Sequence, residues 1–140
     1  MNSLLPDRQL IKAVIFDFYG VLYLDGRRLN DELLEYIRQL KPKFKIGMIS
    51  NSSGREINSL LSPNDRALFD ELVFSGQVEV AKPHPGIYEL AAERLGVKTG
   101  ECVYIDDDDY RAEGAVKAGM KGLVYQNFNQ FKREISYLIS

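Results

Sequence analysis

Five short runs, residues 13–18, 44–50, 72–75, 103–105 and 122–125, are dominated by apolar, β-branched and aromatic side chains, and helical patterns fill the stretches between them. A strand that is apolar on both faces needs cover on both, and a parallel sheet flanked by helices provides it. The expectation is an α/β chain with a five-stranded parallel sheet in a three-layer α/β/α arrangement. In such sheets the ligand site lies beyond the carboxyl ends of the strands. The polar residues at those ends are Asp17, Ser50 and Asn51, Ser75 with the nearby Lys82, and Asp106 with Asp107.

Local signals fill in the order of elements. Residues 21–29 read as a flap hairpin, in which residues 23–24 and 27–29 flank Asp25-Gly26, a pair suited to a tight turn. Asn30 is placed to cap a helix whose Leu33, Leu34, Ile37 and Leu40 share a face and which Pro42 ends, and Leu29 is spaced to staple against Leu34. Ser53 with Glu56 has the spacing of a capping box. Ser62-Pro63 opens a short helical turn. Residues 85–95 form a helix ended by Gly96, residues 112–118 another closed by Gly119, and Asn127 caps a last helix carrying Phe128, Phe131, Ile135 and Leu138 on one side.

At 140 residues the chain is expected to be one domain, residues 1–140, with no cap domain. The formal net charge of −2 gives no global attraction to nucleic acid or to an anionic membrane. The single cysteine, Cys102, excludes an internal disulfide, fits a reducing compartment, and is expected to be buried within an apolar run. No apolar run approaches membrane-spanning length. A cytoplasmic protein is expected.

The polar clusters suit one chemistry. Asp17 lies inside the run VIFDF, where an acid is costly unless paired or coordinated. The four acids 106–109 repel one another, and a cation is the natural remedy. A carboxylate nucleophile facing an anionic phosphate needs such a charge, and a hard cation such as Mg²⁺ takes carboxylate oxygens. A phosphate also wants a hydroxyl, backbone N–H groups and a lysine. Asp17, Asp106, Asp107, Ser50 and Lys82 supply that inventory.

At these positions the chain resembles the haloacid-dehalogenase-like (HAD) hydrolase superfamily, in its phosphatase-like branch, over almost its full length. "VIFDFYGVL" (14–22) is similar to the first motif, "IGMISNSS" (46–53) to the second, "AKPHPGIYELAAERLGV" (81–97) to the third and "CVYIDDDDYRAEGAVKAGM" (102–120) to the fourth. The resemblance implies a Rossmann-like, HAD-like fold and a Mg²⁺-dependent phosphohydrolase that works through an aspartyl-phosphate. Asp17 would then be the nucleophile. Ser50 and Asn51 would bind phosphate, with Lys82 neutralising both phosphate and nucleophile. Asp17, the Tyr19 backbone carbonyl, Asp106 and Asp107 would hold the metal. Motif order excludes the response-regulator receiver domain, whose acidic pair precedes its phosphoacceptor.

Two departures stand out. Phosphatases of the superfamily carry a second Asp two residues after the nucleophile as general acid and base, and here that residue is Tyr19. A phenol ionises near 10, so Tyr19 is a possible donor but a poor base. Tyr19 also matches the metal-free haloacid dehalogenases, although these lack the acidic pair and rely on a cap. A catalytically impaired phosphate- or metal-binding module is the remaining alternative. The absent cap leaves an open face suited to a phosphorylated substrate of macromolecular size or to a lid from a partner, and the expected state is a monomer or weak homodimer. Two singletons have structural readings: His84 as a helix cap, and Arg111 paired with an acid of the 106–109 run.

Overall fold

A computed structural model describes residues 10–139 of the chain. Five strands, β1 (Ala13–Phe16), β4 (Lys45–Ser50), β5 (Glu71–Phe74), β6 (Cys102–Asp106) and β7 (Lys121–Val124), form one sheet in the order β5-β4-β1-β6-β7. Every pairing in it is parallel. A separate antiparallel pair, β2 (Tyr23–Leu24) and β3 (Arg28–Leu29), makes the flap. The helices are α1 (Asp31–Leu40), α2 (Arg55–Leu60), α3 (Pro63–Arg66), α4 (Ser75–Val78), α5 (Pro85–Leu95), α6 (Asp109–Lys117) and α7 (Phe128–Ile139).

The two-residue period of β1 divides the core. Val14 and Phe16 pack with Leu33, Leu34 and Ile37 of α1 and Phe131 and Ile135 of α7. Ala13 and Ile15 pack with Ile87, Ala91 and Leu95 of α5 and Ala115 of α6. Each sheet face thus has its own helical layer, as the unbroken apolar strands require. Cys102 is buried and free, on the α5 side.

Strand order positions the site. After β1 the chain runs outward through β4 and β5, then returns to the other side of β1 for β6 and β7. The ends of β4, β1 and β6 are therefore neighbours at the point where the winding reverses, the place such sheets reserve for ligands. Asp17 follows β1 directly, its N–H donating to the Ile105 carbonyl at 2.8 Å.

The flap differs from the expected two-residue turn. Its strands pair Tyr23 with Leu29 and Leu24 with Arg28, so Arg27 belongs to the turn with Asp25 and Gly26. Gly26 and Arg27 both have positive φ, 87° and 58°. The base of the flap is fixed by buried Asn30, which caps α1 through Oδ1 to the Leu33 N–H at 3.2 Å. Its Nδ2 donates to the Val21 carbonyl at 3.0 Å and to the Tyr125 hydroxyl at 2.9 Å.

The Ser53–Glu56 capping box does not form. Gly54, at φ 84°, precedes α2, and a Cβ there would run into the Phe74 ring, so only glycine makes this close turn. Ser53 Oγ accepts from the Arg55 N–H at 3.3 Å, and Glu56 is drawn elsewhere. Ser62 caps α3 as expected, and α6 starts three residues earlier than its apolar pattern, because Asp108 caps it through the Tyr110 N–H at 2.9 Å.

Candidate active site

The centre of the site is a buried Lys82 ammonium. Its Nζ lies 2.8 Å from Asp17 Oδ1, 3.1 Å from Asp106 Oδ2, 2.6 Å from the Tyr104 hydroxyl and 3.0 Å from the Ile49 carbonyl. Three ammonium protons are thus distributed over four acceptors. The Tyr104 hydroxyl donates onward to Asp106 Oδ2 at 2.5 Å, and the ammonium sits 5.3 Å from the centre of the same ring. Sequence reasoning missed Tyr104. It sits in an apolar strand and looks like ordinary core, and only tertiary packing turns its hydroxyl between a lysine and an aspartate.

Lys82 reaches this point because its backbone is clamped. Asn51 Nδ2 donates to the Lys82 carbonyl at 3.0 Å, and the Lys82 N–H donates to Asn51 Oδ1 at 2.9 Å. Both ends of the Asn51 amide are therefore engaged, and its side chain holds the lysine in place rather than standing free for a phosphate. The Lys82–Pro83 peptide is cis. His84 then caps α5, its Nδ1 accepting from the Gly86 N–H at 2.9 Å, which is the capping role expected of it. Buried Ser50 ends β4, its Oγ 3.2 Å from Ser52 Oγ.

Three carboxylates meet here. Asp17, Asp106 and Asp107 each offer an oxygen, all within 4.8 Å of one another, with Asp17 and Asp106 buried and Asp107 exposed. Burial pushes the Asp17 carboxyl up to about 7, with Lys82 opposing and Asp106 reinforcing the rise. Burial also raises Asp106, but Lys82, the Tyr104 hydroxyl and the Asp108 N–H outweigh it and hold that carboxyl below its ordinary value. Asp107 is raised by burial and by the neighbouring Asp106. Asp17 Oδ2 is buried without any hydrogen-bond partner. A buried, unpartnered carboxylate oxygen among three converging acids fits a cation, which would satisfy the oxygen and relieve the repulsion.

Asp107 owes its position to Gly20. The loop after β1 turns tightly, with the N–H groups of Val21, Leu22 and Tyr23 all directed at the Phe18 carbonyl. Gly20 has φ 87°, and a Cβ on it would overlap the Asp107 carboxylate. Arg111 pairs weakly with Asp108, 3.7 Å away, and so with an acid outside the converging three.

Tyr19 is part exposed and is committed to a partner that sequence spacing did not reveal. Its hydroxyl donates to Glu56 Oε1 at 2.5 Å. Its ring meets Phe18 and Tyr23 edge-on, at centroid distances of 5.0 and 6.1 Å. Burial, the Glu56 hydrogen bond and the Glu56 charge push the phenol up to about 12. Glu56 has the residue type of a capping-box partner, and its spacing from Ser53 concealed the longer-range role.

A parallel sheet with these groups at adjacent strand ends is matched by a known family. Residues 23–119 match the haloacid dehalogenase-like hydrolases, and the chain belongs to that family. A glyceraldehyde 3-phosphate phosphatase of Methanopyrus kandleri is 29% identical over 117 residues, covering 82% of this chain and 50% of that protein. The chain spans half or less of the length of such curated relatives. An uncharacterized protein from Corynebacterium glutamicum superposes with a TM-score of 0.77 at 26% identity, covering 92% of this chain and 95% of that one. A HAD family enzyme of Bacteroides thetaiotaomicron, solved with magnesium and inorganic phosphate, superposes with a TM-score of 0.72 at 15% identity. It covers 86% of this chain and 98% of its own, and the likeness is one of fold. Among the described residues no cap domain is present, and no helix is long and apolar enough to cross a membrane.

Proposed function

We propose that the chain is a Mg²⁺-dependent phosphohydrolase in which Asp17 takes the phosphoryl group of a phosphorylated substrate, forming an aspartyl-phosphate that water hydrolyses. The observation that carries this reading is the Asp17 carboxyl, with one oxygen held by Lys82 and the other buried without a partner. Lys82 aims the nucleophile and offsets the charge of phosphate and carboxylate together. In this reading the Ser50 hydroxyl and the backbone after β4 would receive phosphoryl oxygens, and Asn51 would serve them by fixing Lys82. Asp17, Asp106, Asp107 and the Tyr19 carbonyl would hold Mg²⁺, which supplies the positive charge that lets an anionic phosphate approach an anionic nucleophile. The acid cluster also favours this reading over metal-free halide displacement, where two further acids beside the nucleophile would only repel.

Phosphate release from acetyl phosphate and from an aryl phosphate, with and without Mg²⁺, tests the reading directly. Release that depends on Mg²⁺ is expected, and no release from either compound would sink it. A binding measurement gives an independent check. A cation favours the ionised forms of Asp17 and Asp107, whose carboxyls are raised in its absence. Mg²⁺ binding should therefore release protons, more at pH 6 than at pH 8, as read by calorimetry in buffers of different ionisation enthalpy. Equal and negligible release at both pH values would count against the site.

Gly20→Ala tests the positioning of Asp107. The added methyl collides with its carboxylate, and the positive φ adds a backbone cost of about 1–2 kcal/mol. Mg²⁺ affinity should fall at least about tenfold, in line with losses seen when groups that orient metal ligands are altered. Unchanged affinity would show that Asp107 contributes nothing to binding.

A further inference from the structure

We propose that this chain is built for phosphoryl compounds whose leaving group departs without a proton, acyl phosphates first among them, because the proton donors around its nucleophile are already committed. The inference rests on the phosphohydrolase reading and narrows its substrate class. In-line transfer to Asp17 places the leaving oxygen on the far side of phosphorus, toward the mouth of the site. A general acid there would have to present a free O–H or N–H.

Lys82 and Tyr104 in the cluster, and Tyr19 at the position where the family's phosphatases carry their general acid, each have another task. The Lys82 ammonium is spread over Asp17, Asp106, Tyr104 and the Ile49 carbonyl, deep under the nucleophile. Tyr104 is buried and donates to Asp106. The chain's one histidine, His84, sits at the N-cap of α5, where its Nδ1 accepts from the Gly86 N–H, and it makes none of the cluster's hydrogen bonds. At the mouth stands Tyr19, on the same loop as Asp17 and, unlike Lys82 and Tyr104, open to solvent. Its single proton lies on a 2.5 Å hydrogen bond to Glu56, which bridges 37 positions of sequence. Edge-on contacts with Phe18 and Tyr23 and the Gly20 N–H to the Tyr23 carbonyl, at 2.9 Å, hold that ring and loop against reorientation.

The consequence is chemical. For an acyl phosphate, an Asp17 oxygen forms the new bond to phosphorus while the bond from phosphorus to the acyl oxygen breaks. That oxygen keeps the electron pair and leaves as a carboxylate. Water then attacks phosphorus and the bond to Asp17 breaks, giving dihydrogen phosphate, which retains both protons of the water, and the free Asp17 carboxylate. No external acid is needed, since carboxylic acids ionise near pH 4. An alkyl phosphate would have to expel an alkoxide, whose conjugate acid is about as weak as water. A positioned general acid is typically worth about 10²- to 10⁴-fold, and a site without one forfeits that factor for alkyl phosphates alone.

The test compares kcat/KM for acetyl phosphate, 4-nitrophenyl phosphate, phenyl phosphate and glycerol 3-phosphate, in the presence of Mg²⁺. Wild type is expected to favour acetyl phosphate over glycerol 3-phosphate by at least about 10³-fold, with a steep dependence on leaving-group pKa. Tyr19→Asp, which installs a carboxyl at the mouth, should shrink that ratio at least about tenfold. Glu56→Leu, which frees the Tyr19 proton, should shrink it in part. Ratios are read rather than rates, so a loss of folded protein does not imitate the effect. Comparable use of acetyl and glycerol phosphates by wild type would overturn the proposal and leave the phosphohydrolase reading standing. An unchanged ratio in Tyr19→Asp would overturn it in the same way. No turnover of any of the four compounds would overturn both.

Discussion

Asp17→Asn is expected to lower phosphate release by at least about 10⁴-fold, the scale on which loss of a nucleophile acts in enzymes that form a covalent intermediate. Asparagine keeps an acceptor for Lys82 but cannot form the aspartyl ester. Activity is half of the expectation, and stability supplies the other half. The folded carboxyl, pushed up to about 7 by burial, stands well above its ordinary 3.8. For an acid with a raised folded pKa, the associated stability is fully present below about pH 4 and is lost as pH rises through 7. In the absence of Mg²⁺, Asp17→Asn should therefore melt higher than wild type at pH 8, with the gap closing toward pH 4. An inactive variant that is more stable only at neutral and alkaline pH would fit a carboxylate held ionised at a cost for its chemistry. Undiminished phosphate release would remove Asp17 from the mechanism.

Lys82→Met is expected to be the most destabilising change at the site. The side chain is of similar length, so the loss is one of charge and hydrogen bonds. Two buried carboxylates, Asp17 and Asp106, would then face each other with no cation between them. Removing one member of a buried ion pair typically costs about 3–5 kcal/mol, most of it from the uncompensated charge left behind. The sign of the pH dependence follows. With the lysine gone both carboxyls titrate higher, so the deficit should be small near pH 4 and grow as pH rises. Urea denaturation at pH 5 and pH 8 measures it. An equal deficit at both would show that the methionine fails for reasons of packing alone.

The same residues show what could be read in the sequence and what could not. The sheet was legible because its strands are short and apolar on both faces, a pattern that leaves few alternatives. Asp17, Ser50 and the 106–107 pair were legible as polar residues at the ends of such strands, which strand order makes neighbours, and Lys82 through the motif that precedes α5. Side-chain direction was not. Asn51 looked like a phosphate ligand, yet its amide closes a two-bond clamp on a backbone 31 positions away. Glu56 matched a local cap but serves Tyr19, because Gly54 had already turned the chain. Tyr104 gave no signal at all, since a phenol in a buried strand is polar only at its tip. Spacing reports contacts within a turn of helix or across a tight loop. Distant partners, such as Tyr19 and Glu56, are chosen by packing.

The Asn30 anchor has a consequence for how new parts could be added to this scaffold. One buried side chain ties the base of the flap to the end of β7. The flap tip, by contrast, is open, with nothing within 4 Å of a Cβ built on Gly26. Base and tip are thus mechanically separate, like a post set in concrete with a free upper end. Extra chain spliced in at Gly26 would extend from the open tip and leave the anchored base, and the loop that carries Asp17, in place. Exposed loop tips of this kind are where chains best tolerate insertion.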